Sequence, residues 1–344
     1  MRKFIFKTTI LSLPILILLL LVNYYGDEAS LFNNRYEKQM ATIIASGNNV
    51  TNFNNYNERL FQQEIISNEC IKPNLVVIGS SRTMLINTSF FPGYTLFNNS
   101  VAGASLEDII SIYQLYKNHN KLPQKIVIGI DPWLFNENNG QNSWQTYAAY
   151  YYKFLGLKNQ KHFSYSKYKQ LLSISYFQSS FSKFKKTLKG NSMPLPTKEK
   201  YNVSFTKLTD GSLVYSERHR NFSSIEIENR INSYVEGGIY SVEFFTAISD
   251  RLWKEFNQLI ADMNKNNIEI EFILVPYAPF VYKTIEKDYP MIIATEEMIK
   301  DFAKANGIKF HGSFNPNTLG MNESSFYDGM HCNATGIEEI ILNN

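Results

Sequence analysis

Two cysteines stand in the whole chain, Cys70 and Cys332, and histidine is almost as scarce. The cysteines fall on opposite sides of the expected sheet, one before its first strand and one beyond the far strand ends. A strand of five or six residues spans roughly 17–20 Å, whereas bridged Cα atoms lie within about 7 Å, so two free thiols are expected. His119, His162, His219 and His311 are scattered, with no pair at metal-ligand spacing, and no metal site is expected. An excess of one charge is lacking too. The net charge is +3 with no concentrated basic stripe, which excludes a nucleic-acid partner. No G-x-G-x-x-G follows the first strand and no G-x-x-x-x-G-K-[S/T] occurs, so dinucleotide and P-loop binding fall away and no cofactor is expected. Internal repeats and low-complexity linkers are absent, and long apolar runs are absent with one exception.

That exception is the N-terminal "MRKFIFKTTILSLPILILLLLVNYY". Arg2, Lys3 and Lys7 precede an apolar run from Ile10 to Val22, and no charge stands between Thr8 and Gly26. From Phe4 to Tyr25 the segment has the length of a tilted helix crossing a bilayer of about 30 Å. Basic residues before it and Asp27 and Glu28 after it orient the N-terminus inward and the rest outward. The expectation is a single-pass anchor over residues 1–26, with bilayer contact through residues 4–25 and an extracytoplasmic remainder. A cleaved signal peptide is the alternative, although "NYYGDEAS" offers no small-x-small cleavage site. Hydrophobic residues at 44% and charged residues at 19% make an ordinary globular balance. The 22 Tyr and 25 Phe suit a sugar-handling surface, but they accompany abundant Asn, Lys and Ile, and codon bias accounts for all five.

After a helical linker over 27–70, strands and helices alternate. "NLVVIGS", "YTLFNNS", "QKIVIGID", "IEIEFILVPYAP" and "IKFHGSF" read as five short strands. "SLEDIISIYQLYKNH" opens on Ser105 with Asp108 three residues on, a capping-box pattern. "SVEFFTAISDRLWKEFNQLIADMNKNN" and "MIIATEEMIKDFAKANG" read as amphipathic helices, the second ending at Gly307, and "NATGIEEIILNN" as a short closing helix. The alternation predicts one α/β domain over 71–344, with a mostly parallel sheet covered on both faces. An insert at about 134–241 is too long for a plain βα connection. It contains a hairpin, "FTKLTDGSLVYSE", turning at Asp210-Gly211, and reads as a lid beside the strand ends. "SERHRN" (216–221) inside it reads as a solvated basic loop, and Tyr277 of "VPYAPF" as a packing residue.

Ligands of an open α/β sheet bind beyond the carboxyl ends of its strands. There the first strand runs into Gly79-Ser80-Ser81-Arg82. Near the C-terminus, "FYDGMHCNATG" sets Asp328 three residues before His331. A carboxylate so placed accepts the imidazole Nδ1–H and leaves Nε2 as a base. With Ser81 this supplies the parts of a serine-nucleophile triad. The plainer alternative is that Ser80 and Ser81 merely cap the following helix. Arg82 in that first turn opposes the helix dipole and calls for a carboxylate partner, for which Asp131 is the candidate, or for an anionic substrate.

In order and spacing these blocks resemble the SGNH/GDSL hydrolase superfamily, over residues 72–135 and 245–344. The resemblance implies a flavodoxin-like three-layer α/β/α sandwich with Ser81 as nucleophile and Asp328 and His331 completing the triad. It also implies an oxyanion hole made by the N–H groups of Ser81 and of Gly103 in "NNSVAGASLED". Ser80 replaces the Asp usual before the nucleophile. The third strand runs into Asp131-Pro132-Trp133, with Asn136 and Asn138 beyond, where the family carries G-x-N-D. An ionised Asp131 accepts and cannot donate to an oxyanion. With its single anchor the chain is most similar to membrane-anchored SGNH-like proteins, such as those of teichoic acid D-alanyl transfer and alginate acetylation. That similarity implies a serine-dependent acyl esterase or O-acyltransferase acting on a cell-envelope glycopolymer beside a membrane-bound O-acyltransferase. A catalytically silent SGNH-like polymer-binding or assembly protein is the alternative.

Overall fold

The structure is a computed structural model and describes residues 1–27, 31–32, 34–53, 56–158, 165–188 and 193–342. The chain opens with α1 (Arg2–Gly26), α2 (Arg35–Ala45), β1 (Asn49–Thr51), α3 (Glu58–Ser67), β2 (Leu75–Ile78), β3 (Leu96–Asn98), α4 (Leu106–Asn118) and β4 (Lys125–Ile130). The insert contributes α5 (Ala148–Phe154), α6 (Tyr165–Gln170), α7 (Ile174–Leu188), β5 (Leu195–Thr197), β6 (Thr206–Lys207), β7 (Leu213–Val214), α8 (Glu217–Arg220) and α9 (Ser224–Glu236). The chain ends with α10 (Asp250–Lys265), β8 (Glu269–Leu274), α11 (Pro279–Asp288), α12 (Pro290–Ala305), β9 (Lys309–Gly312) and α13 (Ala334–Leu342).

The main sheet has five strands in the order β3-β2-β4-β8-β9, each neighbouring pair parallel. Every residue of β2 and β4 is buried, as near-continuous Val/Ile runs require when both faces are covered. The mixed α/β expectation therefore stands, with a sheet compatible with a three-layer α/β/α fold. From β2 the chain first moves to one neighbour, β3, and later to the other, β4. The reversal leaves a crevice at the carboxyl ends of β2 and β4, where ligands of such sheets bind. The capping box forms as expected: Ser105 Oγ accepts the Asp108 N–H, and the Ser105 N–H donates to Asp108 Oδ2 at 2.9 Å. Cys70 is exposed and Cys332 buried, both as free thiols.

Three segments differ from expectation. The helix expected from Ser241 begins at Asp250, because Ser249 Oγ accepts the Leu252 N–H and fixes the start there. "VPYAPF" does not extend the fourth strand; β8 stops at Leu274, and Pro279, at the position where its missing N–H costs nothing, opens α11. The stretch expected as a linker is built into the body. Phe61 and Ile65 of α3 are wholly buried, and Arg59 Nη2 pairs with buried Asp108 Oδ2 at 2.8 Å.

The insert is bonded to the rest of the chain. Its β5, β6 and β7 join β1 in an antiparallel sheet ordered β5-β1-β6-β7. The hairpin turns at Asp210-Gly211 and is tied to the main sheet by Asn98 N–H to the Asp210 carbonyl, 2.7 Å, and Leu213 N–H to the Met84 carbonyl, 2.8 Å. Elsewhere the insert holds α1. Asn23 Nδ2 donates to the carbonyls of Gln170, Leu171 and Ser173 at 3.1, 2.9 and 3.1 Å, and Gly26 packs against the Ser180 backbone. Among the described residues no helix is long and apolar enough to cross a membrane. Leu11, Ile15 and Leu18 of α1 are exposed, and the side chains of residues 4, 5, 8 and 9 lie outside the description.

Candidate active site

At Gly79 the ends of β2 and β4 approach closely: a Cβ there would lie 2.5 Å from Thr83 Oγ1 and 3.1 Å from Gly129 Cα. The chain then enters a single 3-10 turn, Ser81–Thr83. Ser80 is buried and caps this turn, its Oγ accepting the Arg82 N–H at 3.2 Å. Ser81 is half-buried, and its Oγ lies 2.9 Å from His331 Nε2. Capping thus occupies one serine and leaves the other for chemistry.

His331 Nδ1 lies 2.9 and 3.0 Å from the two carboxylate oxygens of Asp328. Asp328 Oδ1 also accepts the N–H groups of Met330 and His331, each at 2.9 Å. Burial raises the Asp328 pKa, but the His331 ring and those two N–H groups lower it by more, so the carboxyl sits below its ordinary value. The loop is held by Tyr327 N–H to the His331 carbonyl, 2.8 Å, and by Ala278 N–H to the Gly329 carbonyl, 3.0 Å. Gly329 is required here by packing, since a Cβ would lie 2.5 Å from Tyr234 Cδ1.

Of the two partners open to Arg82, the structure has the carboxylate: Arg82 and Asp131 pair in the interior, away from a substrate. Arg82 Nη1 meets Asp131 Oδ1 at 3.0 Å, with side-chain exposures of 0% and 4%. The remaining donors reach the Met330 carbonyl, 3.1 Å, the Pro276 carbonyl, 3.1 Å, and the Val275 carbonyl. The guanidinium lies 4.2 Å over the ring of Tyr277, which is buried as a packing residue. Arg82 therefore ties the Ser81–Thr83 turn, the ends of β4 and β8, and the His331 loop together. It has no surface for a substrate.

Gly103 has φ +56°, and a Cβ on it would lie 2.6 Å from Gln141 Oε1 and 2.7 Å from the Tyr240 hydroxyl. Its loop is braced by Arg59 Nη2 to the Gly103 carbonyl, 3.4 Å, and by Ala102 N–H to Glu58 Oε2. Among the described residues no backbone carbonyl takes the N–H of Ser81 or Gly103. The amide of Asn136 is buried and donates to the Ser241 carbonyl at 2.9 Å, and Asn138 is exposed. Neither replaces the missing donor after the third strand. Gln141 lies over Gly103, but its Nε2 donates to the Tyr240 hydroxyl at 2.8 Å and to Ser241 Oγ at 2.5 Å, and its acceptor Oε1 is the atom nearest Gly103, so it braces that loop rather than supplying a donor. No spacing in the sequence marks it.

The insert also reaches the site from the other side. The Tyr215 and Tyr327 ring centroids lie 4.8 Å apart, next to Asp328. "SERHRN", expected as a solvated loop, packs its His219 ring 5.7 Å from Tyr215. No family model matches the chain, and no curated protein matches it.

Proposed function

We propose that this protein is a serine-dependent acyl esterase or O-acyltransferase of the SGNH kind, anchored outside a membrane and acting on an acylated cell-envelope glycopolymer. The observation that carries the reading is the hydrogen-bond chain Ser81–His331–Asp328, 2.9 Å at each step. Ser81 Oγ attacks the ester carbonyl carbon as its proton passes to Nε2, and the carbonyl electron pair moves to oxygen. The N–H groups of Ser81 and Gly103 hold that oxyanion. Collapse breaks the bond to the leaving oxygen, which takes the proton from His331, and the acyl group stays on Ser81. Water or an acceptor hydroxyl then attacks the acyl carbon and gives its proton to Nε2, and Ser81 Oγ leaves and regains it. Asp328 fixes the tautomer and stabilises the imidazolium.

α1 is the proposed anchor. The support for it is in the sequence alone, where the basic-apolar-acidic order of the full segment also sets the outward orientation. The insert then covers the strand ends, and a membrane-bound O-acyltransferase is the proposed partner. One observation favours a second reading, a silent polymer-binding or assembly protein: no asparagine amide completes the oxyanion hole after β4. Losing one such donor typically lowers kcat by about 10²–10³. Treating the full chain in detergent with a fluorophosphonate ester, followed by intact mass, decides between them. A single adduct mapped to Ser81 and lost in His331→Ala supports catalysis. A folded sample that takes no adduct transfers the case to the silent reading.

A further inference from the structure

From the His331 loop outward, rings follow one another at contact distance. Tyr327, adjoining Asp328, packs on Tyr215 at 4.8 Å, Tyr215 on His219 at 5.7 Å, and His219 on Phe222 at 5.0 Å. The strip ends where the Arg230 guanidinium lies 4.0 Å over the Phe222 ring. All four rings are half-buried, whereas Arg218 and Arg230 are exposed. Both arginines depress the pKa of His219, after burial itself, so their charge falls on this strip. No carboxylate oxygen lies within 4.0 Å of either among the described residues. Glu226 feels both charges, but its Oε2 is engaged by the Ser223 N–H and hydroxyl, each at 2.9 Å. Arg220 differs. It is turned inward onto the carbonyls of Asn202 and Tyr215 and braces the wall.

We infer that the strip Tyr327–Tyr215–His219–Phe222, with Arg218 and Arg230 at its outer end, binds an acidic glycan whose acyl ester is thereby presented to Ser81. The chemistry follows from the groups. The exposed parts of half-buried rings offer apolar contact to the C–H groups of sugar units, and exposed guanidinium forks take carboxylate or phosphate bidentately. The role in acyl transfer rests on the reading of Ser81, Asp328 and His331 as catalytic; the binding does not.

Calorimetric titration of the full chain in detergent at low salt, with hexagalacturonate, pentamannose 6-phosphate and neutral mannopentaose, tests this. At least one acidic probe is expected to bind about tenfold tighter than mannopentaose, and which one does so separates a carboxylate from a phosphate source. The Arg218→Gln/Arg230→Gln variant alters exposed side chains, so it is expected to fold, to lose that preference and to keep fluorophosphonate labelling of Ser81. Equal affinity for all three probes, no binding by protein whose Ser81 labels, or a preference that survives the double variant would overturn the proposal. Lost labelling in the parent protein with acidic binding intact would overturn the catalytic reading and leave the binding strip standing.

Discussion

Ser80 and Ser81 are neighbours of the same type, yet one hydroxyl is bound to a backbone N–H and the other to an imidazole. Ser81→Ala is expected to abolish both fluorophosphonate labelling and turnover of p-nitrophenyl acetate. Ser80→Ala removes a cap, so it is expected to cost about 1 kcal/mol in urea unfolding while turnover persists. Equal loss of turnover in both variants would show that the turn, not the nucleophile, is what matters. Arg82 belongs to the same scale. It is a buried charge with one carboxylate and three carbonyl partners, so Arg82→Met strands Asp131 without its partner. The expected cost is about 3–5 kcal/mol, read as a fall in the urea midpoint. The Ser81–His331–Asp328 hydrogen-bond chain and the Arg82–Asp131 pair were legible in the sequence because each rests on a short spacing or on a charge that needed an answer. Gln141, Tyr215 and Tyr240 were not, because chain far from both motifs delivers them and no local pattern records where an insert docks.

At the scale of elements, the buried strands of the main sheet announce themselves as apolar runs between turn residues. β1 and β5 do not. Each has three residues, and β5 holds Pro196 at the edge of its sheet, where a missing N–H is tolerated. Their pairing is set by tertiary contacts rather than by propensity. The main sheet also hides an ionic device away from the triad. Glu271 on β8 meets His311 Nε2 on β9 at 3.1 Å and Lys125 Nζ on β4 at 2.7 Å. Burial raises the Glu271 pKa, but His311 and Lys125 lower it by more, from 4.5 to about 2. A carboxylate whose folded pKa lies below its unfolded value adds stability that is fully present above the unfolded pKa and is lost as pH falls toward the folded one. Stability is therefore expected to decline between pH 4.5 and about 2 through this group. Glu271→Gln, compared with the parent by urea unfolding across that range, is expected to be less stable at pH 6 and to show a shallower decline. Parallel pH curves would remove Glu271 from the account.

For the whole molecule, one stretch of chain touches both ends of the problem. The insert grips α1 through Asn23 and the Gly26–Ser180 contact, and it meets the end of the Ser81 turn through Leu213 and the His331 loop through Tyr215. If α1 is the anchor, the insert fixes the height and tilt of the site over the bilayer, which a free linker would leave undetermined. The two attachments are nonetheless independent in their bonding. The β6–β7 hairpin is held by Asn98 and Met84, whereas the α6–α7 segment is held by Asn23 Nδ2 donating to three carbonyls, by the Tyr176 hydroxyl donating to Asp27 Oδ1 at 3.0 Å, and by Lys183 Nζ donating to the Asp27 carbonyl at 2.9 Å. Asn23→Ala is therefore expected to loosen α7 locally, by about 1–3 kcal/mol, and to leave the catalytic turn unmoved. Hydrogen-exchange mass spectrometry of the full chain in lipid nanodiscs is expected to show faster exchange over 171–188, with unchanged exchange over 206–215. The rate of fluorophosphonate labelling at Ser81 is expected to match the parent. A slowed labelling rate would instead mean that α1 and the site communicate through the insert, so that the position of the chain on the membrane sets its activity.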